Sequence, residues 1–551
     1  MSHNHSFSTL HRDSTLHQLE EQQFDLLIIG GGITGSGIAL DAITRGLKVA
    51  LIERYDFASG TSSRSGKLIH GGLKYLQNFD FPVVKETGSE RDIVYNNALH
   101  LVYPITMNFP LIKKESYNLV TLKAGLTLYD KLAGVKKEER HSLYGKKKTL
   151  QNEPLFNKKI VQGSGCYIEY RTDDSRLTLE VAKTAQEKGA VILNYAEMTE
   201  FLKDENNMVK GIVGRDHCAN QTFTVYAKHI VNAAGPWVDE VRKKDEKITG
   251  KHMVLAKGIH IVFPYDKLPV KSSVYFQHNG RMIAVIPVGN RTYVGSTESL
   301  YNKDMDDIHV HLSEVQYLLG CLKDMFPNVK LQVQDISSSW AGIRPLIGES
   351  GKKPSELSRH DEIFESNSGV VTIAGGKLTG YRKMADRILT YIDKKHKLNL
   401  PTTKTANLKL SGSQFNNIKE LYEYADRIHG RYSHLEISQQ NITNYVLRYG
   451  SNTEKLLQTI DSYNGQQLKH VHRNILGELR YTIEHEMVST LTDFYDRRTS
   501  YLLFDLELVK ETLEIVTKEI ADILQWNDAV KEQEIRQMQY QIKKALHFKE
   551  D

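Results

Sequence analysis

One segment, between residues 24 and 53, constrains the fold of this chain more than any other. A short run of branched apolar residues leads into a turn of the form G-x-G-x-x-G, with its glycines at Gly30, Gly32 and Gly35. A helical pattern follows, and then a second apolar run that ends at Glu53. Strand, glycine turn, helix, strand and terminal carboxylate in this order are typical of a dinucleotide-binding unit.

Each part of this unit has a mechanical reason. Gly30 allows the tight turn, Gly32 lets the backbone approach a pyrophosphate, and Gly35 lets the helix pack close to the strand. The helix N-terminus offers free N–H groups to that pyrophosphate, and Glu53 falls where a carboxylate accepts the hydrogen bonds of an adenosine ribose. An ordinary βα turn is the alternative, and it explains the glycines but not the complete order. The unit alone does not decide between FAD and NAD.

Composition places the chain among ordinary globular proteins with several domains. At 551 residues it is too long for one core, so two or three domains are expected. A net charge of +5 gives no case for nucleic acid but suits an anionic substrate or an anionic membrane surface. No run approaches the roughly 18 apolar residues of a membrane span, so any membrane contact is expected to be peripheral.

The N-terminus and the cysteines indicate the compartment. Residues 1–23 are polar and lack the apolar core of a secretory signal. They are expected to form a disordered tail rather than a metal site through His3 and His5. The three cysteines are far apart in the sequence, which argues against a disulfide framework or a zinc site. These features predict an intracellular protein without a bound metal.

A glycine- and hydroxyl-rich segment, 56–76, directly follows the nucleotide-binding unit. It contains Thr61-Ser62-Ser63 and His70-Gly71-Gly72, with cations at Lys67 and Lys74. A flexible surface loop is the alternative. The position beside the glycine turn favours instead a loop that wraps the phosphates and ring of a cofactor.

The central part of the chain alternates helix and strand patterns. Residues 167–170 are predicted to be a strand of the same parallel sheet, followed by a loop with Asp173 and Asp174 and a helix over 175–188. Residues 251–299 read as short alternating strands, for which an antiparallel sheet that forms a substrate floor is the simplest account.

Later segments add ligand-binding candidates. Residues 337–340 are predicted to be a strand and 341–345 a turn. Small residues at the strand ends 233–235 and 374–376 allow a close backbone approach to a ligand. From about residue 400 the pattern is helical, as in a separate domain.

With these segments in place, the chain resembles the FAD-dependent (aerobic) glycerol-3-phosphate dehydrogenases over nearly its whole length. This family lies within the wider D-amino-acid-oxidase-like flavoprotein group. The match is carried by segments 30–35, 61–63, 67–76, 169–174, 232–238, 257–260, 340–346, 375–379, 484–487 and 496–499. Two positions depart from the family pattern: Lys74, where some relatives carry Arg, and Gly380, where a second Thr can occur.

The resemblance implies an α/β fold with three domains. A Rossmann-like FAD-binding domain holds an inserted antiparallel-sheet substrate domain and is followed by a C-terminal α-helical domain. The expected boundaries are 1–23 for the polar tail, 24–80, 166–245 and 335–399 for the FAD-binding domain, 81–165 and 246–334 for the substrate domain, and 400–551 for the helical domain.

The resemblance also implies FAD as the cofactor, and we expect it to be bound without a covalent link. His70 is the nearest attachment point for a flavin, but its glycine neighbours suit close non-covalent approach equally well. The residues expected to contact FAD are Gly30, Gly32, Gly35, Glu53, Thr61, Ser62, Ser63, Lys67, His70, Gly71, Ala233, Gly235, Gly376, Leu378 and Thr379.

The implied reaction is oxidation of sn-glycerol 3-phosphate to dihydroxyacetone phosphate, with hydride transfer to FAD. A phosphate dianion needs fixed cations, and the candidates are Lys74, Arg344 and Lys377, with Tyr75 as a hydrogen-bond donor. His260 is the candidate base because its ordinary pKa lies nearest the working pH. The same position in an alternating strand suits a packed histidine equally well. The expected catalytic residues are therefore His260, Arg344 and Lys377.

Three functions are left open. The first is a dehydrogenase that passes the electrons to a quinone, in a cytoplasmic protein in peripheral contact with the inner face of the cell membrane. The second is an oxidase that passes the electrons to oxygen and forms hydrogen peroxide. The third is a non-catalytic flavin-binding sensor or scaffold, which has no need of a site that positions phosphate. A homodimer is left open.

The C-terminal tail from Ile535 is one candidate for the membrane contact, because its pattern is amphipathic. The apolar stripe consists of Met538, Ile542, Leu546 and Phe548, and the cations beside it are Arg536, Lys543, Lys544 and Lys549. The alternative is that the stripe packs on its own domain.

Overall fold

The computed structural model describes residues 7–72, 80–113, 118–348, 360–465 and 467–550. These residues form two β-sheets with helices packed on them, followed by a helical C-terminal part. The prediction of an α/β fold with a second, largely antiparallel sheet and a C-terminal helical domain is confirmed.

The first sheet has a parallel centre built on the nucleotide-binding unit. Its strands are β1 (Gln23–Ile29), β2 (Val49–Ile52), β7 (Val191–Leu193), β8 (Ala196–Lys203), β9 (Val209–Asp216), β10 (Gln221–Asn232), β17 (Glu362–Glu365) and β18 (Val371–Ala374). The main path runs β17-β18-β10-β1-β2-β7, with β1 parallel to both β10 and β2. β8 and β9 extend β10 as an antiparallel meander.

The second sheet is antiparallel except where β12 meets β4. Its strands are β3 (Leu68–Ile69), β4 (Val102–Ile112), β5 (Ser142–Gly145), β6 (Val161–Thr172), β11 (His252–Pro264), β12 (Ser273–His278), β13 (Arg281–Val288), β14 (Arg291–Gly295), β15 (Ser299–Tyr301) and β16 (Ser338–Gly348). The main path runs β15-β11-β14-β13-β12-β4-β6-β3, with β16 paired to β11 and β5 to β6.

The helices of the described residues are α1 (Arg12–Glu21), α2 (Ile33–Thr44), α3 (Phe81–Asn97), α4 (Leu119–Leu132), α5 (Lys146–Asn152), α6 (Asp174–Glu187), α7 (Val238–Asp245), α8 (Leu312–Met325), α9 (Tyr381–His396), α10 (Ile418–Arg431), α11 (Gln439–Tyr449), α12 (Thr453–Asp461), α13 (His470–Glu486), α14 (Tyr501–Phe504), α15 (Leu506–Leu524) and α16 (Asp528–Leu546). α2 packs against both α6 and α9. The strands beneath it are almost wholly buried apolar runs, as a parallel sheet covered by helices requires.

Two segments differ from their sequence prediction in ways that matter for the site. Residues 167–170 belong to β6, which pairs with β4 in the second sheet, so the predicted return to the parallel sheet is wrong at this point. The predicted turn at 341–345 is also wrong, because β16 runs through it and pairs with β11 from Ser338 to Gly348. Local patterns do not reveal these partners, since alternation looks the same in either sheet. Asp174 also begins α6 rather than lying in the loop.

The N-terminal segment is part of the folded protein from residue 7 onwards. Arg12 is buried, and its Nη2 lies 2.8 Å from a carboxylate oxygen of Asp216. The Thr9 hydroxyl donates to the carbonyl of Val488 at 2.7 Å. These contacts show that the expectation of a disordered tail is wrong for residues 7–22. The tail sequence does not reveal them, because both partners lie far away along the chain. Residues 1–6, which include His3 and His5 of the alternative metal site, lie outside the described residues.

The amphipathic C-terminal helix, α16, packs its apolar stripe inside the protein. Met538 is fully buried in a core shared with α13 and α15, and Ile542 and Leu546 pack against the same core. Phe548 packs against the core beneath the second sheet. The proposal that this stripe contacts a membrane is therefore wrong. Among the described residues, no helix combines the length and apolar character that a bilayer crossing requires.

Candidate active site

The turn between β1 and α2 leaves no room for side chains at two of its glycines. A Cβ on Gly30, whose φ is +114°, would lie 2.6 Å from the carbonyl oxygen of Ala233. A Cβ on Gly35 would lie 1.9 Å from the carbonyl oxygen of Gly30. α2 begins at Ile33, and its first turn lines a cleft of about 310 Å³. The turn therefore presents bare backbone and a helix N-terminus to an anion in the cleft.

Glu53 directly follows β2 beside this turn, and both of its carboxylate oxygens accept from backbone N–H groups. Oε2 accepts from the Gly31 N–H at 2.6 Å, and Oε1 accepts from the Tyr55 N–H at 2.8 Å. Burial raises the pKa of Glu53 above its ordinary value, against the effect of these two hydrogen bonds. Each oxygen can accept one more hydrogen bond, which leaves room for an adenosine ribose. The bond to that ribose stays a prediction.

The loop after β2 lines the cleft. The Ile33 N–H donates to Ser62 Oγ at 3.0 Å, and the Thr61 hydroxyl donates to the carbonyl of Ile343 in β16 at 2.7 Å. The loop thus joins the start of α2 to the second sheet. The cleft is lined by many of the predicted cofactor residues: Gly30, Gly32, Glu53, Thr61, Ser62, Ala233, Gly235, Gly376 and Leu378.

Three predicted cofactor residues, Ser63, Lys67 and Gly71, do not line the cleft. Lys67 is buried, and its Nζ is paired with Asp174 Oδ1 at 2.5 Å, so the side chain holds the loop. The Gly71 N–H donates to Glu169 Oε2 at 3.2 Å. Ser63 is buried, and its hydroxyl lies 3.4 Å from the carbonyl of Gly60. The predicted contacts of these three residues with the cofactor stay predictions.

A second cavity, of about 350 Å³, adjoins the cleft on the side of the second sheet. The two spaces share Thr61, Gly376, Lys377 and Leu378 in their walls. The further predicted residues that line this second cavity are His70, His260, Arg344 and Thr379. Lys74 and Tyr75, the other predicted substrate contacts, lie outside the described residues.

Arg344 reaches the cavity from β16, and its guanidinium is held by a neighbouring loop. Nη2 donates to Ser296 Oγ at 2.6 Å, and Nη1 lies 3.9 Å from Glu298 Oε1. Sequence reasoning missed both partners, because neither lies in a recognisable motif. The only signal for them is their position just after β14, which lies beside β11.

His260 lies on β11 with its ring stacked on Trp340, at 4.7 Å between ring centroids and an interplanar angle of 12°. Its Nδ1 is buried and has no hydrogen-bond partner among the described residues. Burial, followed by the charges of Arg344 and Lys67, lowers the pKa of His260 to about 3. The ring is therefore uncharged at neutral pH. The ring can accept a hydrogen bond, but a pKa this far below the working pH makes it a weaker base than its ordinary pKa suggests.

The remaining groups give the cavity a cationic character. Burial and the charge of Lys377 lower the pKa of His70 to about 4, so this ring is also neutral at working pH. Arg344 and Lys377 thus converge on a space that also holds two uncharged imidazoles. Such a site can bind a small anion and accept hydrogen bonds from it, beside a cleft suited to a dinucleotide.

Comparison with known families agrees with this geometry. Residues 25–382 match the family described as FAD dependent oxidoreductase. Residues 403–531 match the C-terminal domain of alpha-glycerophosphate oxidase. The fold and its two adjoining cavities are those of an FAD-dependent oxidoreductase.

Individual relatives narrow the class. The aerobic glycerol-3-phosphate dehydrogenase of Bacillus subtilis is 43% identical over 534 residues, which cover 96% of each chain. That of Staphylococcus saprophyticus is 43% identical over 546 residues, 98% of each chain. The chain belongs to the family of aerobic glycerol-3-phosphate dehydrogenases.

Solved structures share the fold, one of them over nearly the whole chain. The glycerol-3-phosphate dehydrogenase of Bacillus halodurans, complexed with FAD, is 38% identical with a TM-score of 0.85, and the match covers 99% of this chain and 100% of that one. The L-alpha-glycerophosphate oxidase of Mycoplasma pneumoniae, with FAD bound, shares the fold at 20% identity and a TM-score of 0.56, over 70% of this chain and 98% of that one. The cofactor of this protein is FAD, and the bare glycine turn and the cleft fit it.

Proposed function

We propose that this enzyme oxidises the secondary hydroxyl of sn-glycerol 3-phosphate to the ketone of dihydroxyacetone phosphate and delivers the electrons to a quinone. The observation that carries this is the position of Arg344 and Lys377 in a cavity that adjoins the FAD cleft. The relatives named as glycerol-3-phosphate dehydrogenases support the identity of the substrate.

The two cations differ in their position, and this suggests different roles. Arg344 lines the second cavity, hereafter the substrate cavity, and not the FAD cleft. Ser296 fixes its guanidinium there, so Arg344 is suited to bind a phosphate that lies away from the flavin. Lys377 lines both spaces, so it is suited to stabilise negative charge on the reacting oxygen. Lys74 and Tyr75 stay predicted contributors to phosphate binding.

His260 is proposed to take the hydroxyl proton. Its low pKa keeps the ring neutral and able to accept a hydrogen bond, and the stack on Trp340 fixes the ring plane. When bound, FAD supplies the acceptor for the hydride that leaves the carbon bearing this hydroxyl. Loss of the proton to His260 and of the hydride from carbon leaves the ketone.

The acceptor separates this proposal from its nearest alternative. The C-terminal match carries the name of an oxidase, which keeps oxygen in view as an acceptor. Purified protein should reduce a quinone analogue with glycerol 3-phosphate much faster than it forms hydrogen peroxide in air. Rapid peroxide formation would favour the oxidase, and absence of turnover with either acceptor would favour a flavin-binding scaffold.

A quinone acceptor requires contact with a bilayer, and α4 offers a surface for it. Leu119, Val120 and Leu128 on this helix are 41%, 77% and 38% exposed. Lys123 and Lys131 are exposed on the same helix. The one acidic residue of α4, Asp130, is buried. An apolar face with lysines and no exposed acid suits the headgroup region of an anionic membrane.

Co-sedimentation with anionic vesicles tests this surface. The full chain should bind at low salt and less at high salt, and Val120→Asp should reduce binding at low salt. Leu300→Asp is the matched control, because Leu300 is 61% exposed on β15, away from α4. Failure of the full chain to bind at either salt concentration would end the membrane proposal. Equal binding by both variants would end only the part given to α4.

A further inference from the structure

The loop that lines the FAD cleft is held near its start by the C-terminal helical part. The loop comprises residues 54–67, and Asp56 lies near its beginning, fully buried. Its carboxylate accepts from Arg497 Nε at 2.6 Å and from Arg498 Nη1 and Nη2 at 2.6 and 2.8 Å. Both arginines belong to the π-helical turn Asp493–Arg498.

The same turn holds the loop again near its end. Arg64 Nη1 and Nη2 donate to the two carboxylate oxygens of Asp496 at 3.1 and 2.5 Å. Asp496 is 1% exposed. Burial opposes its charge, but the charge and hydrogen bonds of Arg64 keep the pKa of Asp496 below its ordinary value. Asp496 is therefore an ionised, buried partner of Arg64.

Arg64 is placed so that its position affects both spaces of the active site. Its side chain lines the substrate cavity. Its carbonyl oxygen lies against β16, where a Cβ on Gly342 would come within 2.3 Å of it, two residues before Arg344. In the other direction along the chain, Ser62 accepts the hydrogen bond from the first residue of α2. Movement of Arg64 would therefore disturb the helix N-terminus and the substrate cavity together.

We propose that Asp496 is a positioning residue for the flavin site. Through Arg64 it fixes loop 54–67 against α2 and β16, so FAD affinity and substrate turnover depend on the C-terminal helical part. Removal of Asp496 leaves the Arg64 charge without its carboxylate partner, and Arg64, whose side chain is already 20% exposed, then turns further towards water and shifts the loop. The role goes beyond the proposed reaction, and FAD binding can be measured without any substrate.

The test compares Asp496→Asn with Glu454→Gln in the full-length holoenzyme. Glu454 forms an exposed pair with Arg431 in the same helical part, so the control makes the same chemical change where no cofactor loop is held. Flavin fluorescence on dilution gives the Kd for FAD, and steady-state assays at saturating FAD give kcat and KM separately. Asp496→Asn should raise the Kd about tenfold to a hundredfold and lower kcat/KM at saturating FAD. Glu454→Gln should change neither by more than about twofold.

A purely structural role would lower the thermal midpoint of Asp496→Asn while its folded fraction bound FAD with wild-type Kd, and that result would overturn the proposal. Arg64→Gln tests the same link from the loop side and serves if Asp496→Asn does not fold. The double variant should lose no more FAD affinity than the more affected single variant. Additive losses would show that Asp496 does not act through Arg64.

Discussion

Arg344→Ala is the most direct test of the substrate cavity. The guanidinium is fixed by Ser296 and is about 40% exposed, so water screens part of its charge. A hydrogen bond to a charged group contributes about 1.5–3 kcal/mol, and the partial exposure argues for the lower half of that range. A loss of about 1.5–2 kcal/mol corresponds to a fall of about ten- to thirtyfold in kcat/KM for glycerol 3-phosphate.

Two further variants separate the contribution of the Arg344 charge from that of its fixed geometry, and a third serves as a control. Arg344→Lys keeps the charge but loses the planar fork, so its kcat/KM should lie between those of wild type and Arg344→Ala. Ser296→Ala keeps the guanidinium but loosens it, and it should cost less than Arg344→Ala. Arg215→Ala removes an exposed arginine of β9 and should change nothing. Reduction of a quinone analogue gives the rates and a thermal melt checks folding. A well-folded Arg344→Ala within twofold of wild type would refute the reasoning.

Three other predictions follow from the described geometry. Gly35→Val should give colourless protein, because a Cβ there collides with the Gly30 carbonyl, and retention of the flavin absorbance would contradict the close packing. Acid precipitation should release all the flavin from wild type, and flavin left on the pellet would point to His70 as an attachment site. Burial raises the pKa of Glu534 to about 7 from 4.5, so its contribution to stability is complete below about pH 4.5 and is lost as the pH rises through 7. Glu534→Gln should therefore flatten the fall in thermal midpoint between pH 5 and 8, and a fall equal to that of wild type would argue against the raised pKa.

Local sequence order was sufficient for the FAD-binding turn. Gly30, Gly35 and Glu53 could be placed because strand, turn and helix follow one another within thirty residues, and the physical demands of the turn are visible in the residue types. The same holds for Gly376, where glycines follow a short apolar strand. In such segments the partners that decide the structure are neighbours along the chain.

The failures all involve partners that lie far apart in sequence. β6 was placed in the wrong sheet because its pattern does not show whether it pairs with β4 or with a parallel strand. The stripe on α16 looked like a membrane face because the core that covers it comes from α13 and α15. Amphipathicity reveals that a face is buried but not what buries it.

The order of synthesis has a consequence for how this protein reaches its folded state. The first sheet pairs β1, at residues 23–29, with β10, which in turn pairs with β18 at residues 371–374. A ribosome that adds roughly 5–20 residues per second needs roughly 20–70 s to pass from β1 to β18. The hydrogen bond from Thr9 forms later still, because its acceptor, the carbonyl of Val488, is synthesised more than 100 residues after β18. Throughout this interval the nascent chain carries an unfinished apolar sheet, so it should need chaperones during synthesis, and fragments that stop before residue 371 should aggregate rather than fold.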